Sequence, residues 1–75
     1  MAKRKWFVGE NIRHEREFIG VTQTHLSRLL GWDRTTLCKI EMGVYSIDKY
    51  QLLLVATVLG VSVDRLCGSI AALAA

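Results

Sequence analysis

The stretch Thr22–Glu41, TQTHLSRLLGWDRTTLCKIE, reads as two short helices joined by a tight turn. Leu26, Leu29 and Leu30 make one apolar face at helical spacing. Gly31 ends that face, because glycine takes the left-handed conformation that closes a helix. Asp33 offers a carboxylate that can cap the free N–H groups of the next helix. Leu37 and Ile40, three apart, give that helix a buried side. Arg34, Thr35, Thr36, Cys38 and Lys39 stay outward, with only Glu41 acidic behind them. A helix held inward by apolar residues and presenting such groups outward suits a DNA major groove.

The bulk of the chain agrees with a small domain built around this stretch. It has 75 residues, 51% of them hydrophobic, enough for a compact core without metal or disulfides. Cys38 and Cys67 are the only cysteines and have no partners at zinc spacing. His14 and His25 add no ligand pattern, so neither a metal nor a cofactor is expected. No apolar run reaches the length of a membrane span, and no signal-peptide stretch follows the basic start. A cytoplasmic protein is therefore expected. The net charge of +3 permits a nucleic-acid partner without demanding one.

Working outward, one device recurs. Val21-Thr22-Leu26, Trp32-Asp33-Leu37, Ile47-Asp48-Leu52 and Val61-Ser62-Leu66 each place an apolar residue before a capping residue and another five positions after the first. This is the hydrophobic staple around a helix N-cap. At Asp48, Gln51 completes a capping box. Gly20, Gly31, Gly43, Gly60 and Gly68 mark helix ends, while Gly9 lies at a start. The pattern predicts an all-α fold of five helices. The first is expected over Gly9–Ile19, with Val8, Ile12 and Ile19 on its buried stripe and Phe18 beside it. Glu15 falls where that stripe wants an apolar residue. The fourth, Lys49–Leu59, is apolar almost all round, and the fifth runs Val63–Cys67. Trp32 and Tyr50 are expected in the core rather than as base-stacking platforms. The chain divides into a basic arm (1–8), the helical domain (9–68) and an apolar tail (69–75). Lys3, Arg4 and Lys5 are either a solvated start or an arm that neutralises phosphates or enters a minor groove.

The run GVTQTHLSRLLGWDRTTLCKIEMG, with TVLGVSVDRL after it, resembles the Cro/repressor-type helix-turn-helix family, which is lambda-repressor-like and also termed XRE-type. Phage repressors, restriction–modification control proteins and some antitoxins share this five-helix DNA-binding domain. The resemblance covers about Gly9 to Leu66. It implies that Gln23 opens the second helix, contacts a phosphate and buttresses the recognition helix. It implies that Arg34, Thr35 and Lys39 face base edges, with Asp33 and Thr36 near the backbone or groove wall. Arg16 and Glu41 match a partly buried ion pair joining the first helix to the third. Stranding one of those charges costs about 3–5 kcal/mol if the pair is fully buried. Trp32 and Met42 depart from the pattern, and the GVYSID loop carries little charge. Tyr45 and Ser46 can still donate to phosphate, and Thr22 sits at a helix start suited to anions.

The leading expectation is a transcriptional regulator that binds a palindromic operator in double-stranded DNA as a homodimer. Helix 34–42 lies in the major groove, as in a phage-type repressor or small control protein. Two-fold symmetry doubles the few base pairs one short helix covers. Leu54, Val58, Val63, Ile70 and Leu73 are the surplus apolar residues assigned to self-association. The alternative is an antitoxin that neutralises a toxin and represses its own operon. A toxin or a polymerase is the possible protein partner. A redox sensor built on Cys38 is a weaker third reading, since nothing nearby obviously lowers the thiol pKa. No nucleophile–base or carboxylate pair marks an enzyme. The terminal ALAA resembles the end of a bacterial degradation tag.

Overall fold

A computed structural model describes residues 4–67, with side chains from Val8 onward. Five helices follow in order: α1 Arg4–Ile19, α2 Gln23–Leu30, α3 Arg34–Glu41, α4 Lys49–Leu59 and α5 Val63–Leu66. α1 packs on α3 and α5, α2 on α3 and α4, and α4 on α5. The centre is made of one fully buried side chain per helix: Ile12, Leu26, Leu37, Val55 and Leu66. Three of these, Leu26, Leu37 and Leu66, are the second members of staples read from the sequence.

Three of the connections share one construction. Gly20, Gly31 and Gly60 sit at φ of 88°, 77° and 73°, left-handed values that L side chains rarely adopt. The next residue turns its N–H back to the last helical turn, Val21 to Arg16 O, Trp32 to Ser27 O and Val61 to Ala56 O. That is the Schellman closure. The same Val21, Trp32 and Val61 pack against the core just ahead of the next N-cap. A single apolar residue thus closes one helix and orients the next. Thr22 and Ser62 accept the backbone N–H of His25 and Arg65 at 3.0 and 3.1 Å. Asp48 forms the full capping box with Gln51. Asp33 occupies the N-cap position of α3, but its carboxylate makes no cap hydrogen bond, contrary to expectation.

α1 begins at Arg4 rather than Gly9, so Arg4 and Lys5 of the basic cluster lie within a helix. Gly9 is a contact point inside that helix. A Cβ there would collide with the Ile40 carbonyl oxygen and lie 3.0 Å from that of Glu41. The inward stripe of α1 runs Val8, Ile12 and Arg16, at spacings of four. Arg16 takes the last inward place, so Ile19 and Phe18 turn to solvent, Phe18 at 84% exposure. Leu26, Ser27 and Leu30 hold the inward side of α2, which leaves Leu29 exposed. Tyr50 is also exposed, because Val55, Ala56 and Leu59 supply the buried side of α4. Leu54, Val58 and Val63 are less free than expected: each is partly buried against the core. α5 stops at Leu66, one residue short of the expected end. Lys3, Gly68, Ile70, Leu73 and the ALAA end lie outside the described residues.

Candidate nucleic-acid interface

α3 is held from behind. Leu37 and Ile40 are 0% and 2% exposed, and Glu41 beside them is buried too. Its front carries Arg34 and Thr35, both exposed, with Thr36, Cys38 and Lys39 half-buried. Residues 34, 35, 38 and 42 recur at helical spacing and form one outward strip. Asp33 stands exposed at the head of the helix, and Thr22 likewise at the head of α2. Tyr45 and Ser46 are exposed in the loop that follows α3. Lys39 does not extend freely: its ammonium sits 5.1 Å from the Tyr45 ring centroid. Such a cation–π contact contributes on the order of 0.5–1 kcal/mol at an exposed site.

Polar contacts tie this helix to its neighbours. Arg16 Nε donates to Glu41 Oε2 at 2.7 Å, and Nη2 donates to Oε1 at 3.1 Å. The remaining Nη1 donates to the Val21 carbonyl oxygen at 2.9 Å, so the guanidinium serves both α3 and the α1–α2 turn. The hydrogen bond to Glu41 raises the Arg16 pKa further above its ordinary value, against the opposing effect of burial. Gln23, at the start of α2, donates from Nε2 to Glu41 Oε1 at 2.9 Å. Its Oε1 accepts from Arg34 Nη1 at 3.5 Å, the outer limit of a hydrogen bond. Arg16, Glu41, Gln23 and Arg34 therefore form one continuous chain from the core to the front of α3.

Three features were not foreseen. Glu15, the charge out of place on the α1 stripe, accepts from Arg65 Nε at 2.8 Å and so ties α1 to α5. Asn11 donates to the Leu66 carbonyl oxygen at 3.0 Å and closes the end of α5. The Cys38 thiol lies 3.6 Å from the Met42 sulfur, one turn along the outward strip. Only Glu15 carried a signal in the sequence: a carboxylate on an apolar stripe implies a cation facing it. A hollow of 280 Å³ beside α3 is lined by Glu10, Arg13, Gln23, Glu41 and Met42. It is shallow and mixed in charge.

The helix-turn-helix family profile matches residues 12–66, most of the chain. The chain belongs to the helix-turn-helix family. Among solved structures it is similar to the restriction-modification controller protein C.AhdI from Aeromonas hydrophila. The two share 28% identity, with 81% of this chain and 92% of that one covered and a TM-score of 0.77. No curated protein matches it. Family and neighbour together support a DNA-binding transcriptional regulator. Among the described residues, no helix of this helix-turn-helix protein is long and apolar enough to cross a membrane.

Proposed function

We propose that this regulator binds a palindromic operator as a homodimer, with α3 of each copy in a major groove. The observation that carries the reading is the contrast across α3: Leu37 and Ile40 locked in the core, Arg34 and Thr35 open to solvent. Arg34 forks onto guanine O6 and N7, which discriminates between base pairs by roughly 1–3 kcal/mol. Thr35 exchanges a hydrogen bond with a base edge or sets its methyl against that of thymine. Lys39, steadied by Tyr45, supplies the third base contact. Thr22, Gln23, Thr36, Tyr45 and Ser46 meet the sugar–phosphate backbone and fix the register. Asp33 repels phosphate through its carboxylate, so it serves there only through its main-chain N–H. Lys3, Arg4 and Lys5 add positive charge that neutralises neighbouring phosphates.

The self-association face runs along α4 into α5. It includes Leu54, Val58 and Val63, widened by the exposed Tyr50 and Leu53. Tyr50, Leu53, Leu54 and Thr57 line a shallow, mainly apolar hollow of 160 Å³. Ile70 and Leu73 belong to the same expected face. Sedimentation should give a dimer at micromolar concentration, and Leu53→Asp should shift it to monomer. A monomeric wild-type protein would remove the symmetric mode of binding.

The controller neighbour favours a small control protein or repressor over an antitoxin. Selection of bound duplexes from a random pool tests the whole reading. Two inverted half-sites about one helical turn apart are expected. Enrichment of a single asymmetric site would overturn the dimer, and no enrichment would overturn sequence-specific binding.

A further inference from the structure

Gln23 stands between two groups of opposite hydrogen-bonding character. Glu41 is a carboxylate and only accepts. Arg34 is a guanidinium and only donates. The Gln23 atom 2.9 Å from Glu41 must therefore be the amide nitrogen, and the carbonyl oxygen must face the other way, toward Arg34. Only one of the two amide orientations satisfies both neighbours. Glu41 cannot swing out of this arrangement, because both its oxygens are held by Arg16. Its side chain is only 2% exposed, so it meets Gln23 rather than bulk water.

We propose that Glu41 is a positioning residue for base recognition: through the amide of Gln23 it aims the guanidinium of Arg34. This rests on the reading that Arg34 contacts a base. The donor–acceptor pattern on the front of α3 is then written from inside the core. With the amide fixed, the carbonyl oxygen holds one edge of the guanidinium and leaves the other N–H groups for guanine. The second N–H of Gln23 remains available to a phosphate oxygen, so register and base contact are set by one side chain. A carboxylate at position 41 is needed for this beyond its pairing with Arg16. A neutral amide there can present either an oxygen or an NH2 group to Gln23, and the amide of Gln23 is then free to reverse.

The test is a double-mutant cycle read as a specificity ratio, not as stability. Each protein is titrated with its selected duplex and with duplexes changed singly, at one salt concentration. Arg34→Ala first identifies the base pair that Arg34 reads. Glu41→Gln should lower discrimination at that base pair by about fivefold, the weak end of what one base contact confers. Gln23→Met should lower it similarly, although it leaves the Arg16–Glu41 pair intact. The double variant should lose no more than either single one. If Glu41→Gln costs as much in the Gln23→Met background as in the wild type, Glu41 acts through the fold alone and the proposal is wrong. Should Glu41→Gln fail to fold, NMR on the wild type and Gln23→Met decides. One side-chain amide proton of wild-type Gln23 should exchange slowly, and the Arg34 Nε–H should gain mobility in Gln23→Met. A fast-exchanging amide, or an Arg34 equally mobile in both proteins, overturns the proposal. If Arg34→Ala changes no base preference, base reading by Arg34 falls first, and this inference with it.

Discussion

The two sides of α3 obey different rules. Its inner side is closed by Leu37, Ile40 and Glu41, where every group has a partner or is packed. Its outer side has Arg34 and Thr35 in water, with a single long contact to Gln23. Stability is therefore concentrated on one side and recognition on the other, within one helix of eight residues. The lesson is that a substitution on α3 should move one property with little change in the other, except along the Glu41–Gln23–Arg34 chain that crosses between them.

The strongest way to break that contrast is on the inner side. Arg16→Met strands the Glu41 carboxylate in the core and should cost about 3–5 kcal/mol in urea unfolding. A loss under 1 kcal/mol would mean water reaches the pair. Gly9→Ala comes next. The new methyl meets the Ile40 carbonyl, which is backbone and cannot rotate aside. A loss of roughly 1–3 kcal/mol is expected, as for overpacking, despite the gain in helix propensity. An unchanged or raised melting temperature would show that α1 and α3 lie further apart. Arg65→Ala removes the ion pair that joins α5 to Glu15 of α1. Arg65 is 60% exposed, so solvent screening should hold the effect to about 0–1 kcal/mol. Arg34→Ala should be the smallest of all in unfolding, within about 0.5 kcal/mol of wild type.

Much of this was legible in the sequence, and the limits have physical causes. Helix ends were readable because Gly–apolar–cap triplets encode them locally, as at Gly31-Trp32-Asp33. The exposure of Arg34 and Thr35 on α3 is readable because Leu37 and Ile40 fix the helix rotation by spacing alone, whereas Thr36, Cys38 and Lys39, expected outward with them, are half-buried. Long-range pairings were not. Glu15 finds Arg65 fifty positions away, so its place on the stripe looked like a misfit. Gly9 looked like a start signal because glycine marks both boundaries and close approaches, and only packing against Ile40 tells them apart. Asp33 shows the reverse error: a residue ideal for capping that leaves its carboxylate unbonded. The spacing sets Phe18 beside the stripe of α1 and Leu29 on the apolar face of α2, but Arg16 and Ser27 take those buried places and both apolar residues face solvent.

Recognition by the outer side of α3 is tested most directly by titrating wild type and Arg34→Ala with the selected duplex and a scrambled duplex of equal length, at fixed salt. The variant should bind the selected duplex at least fivefold more weakly, and the scrambled duplex only slightly more weakly. Equal losses on the two duplexes would show that Arg34 supplies charge alone and that the bases are read elsewhere.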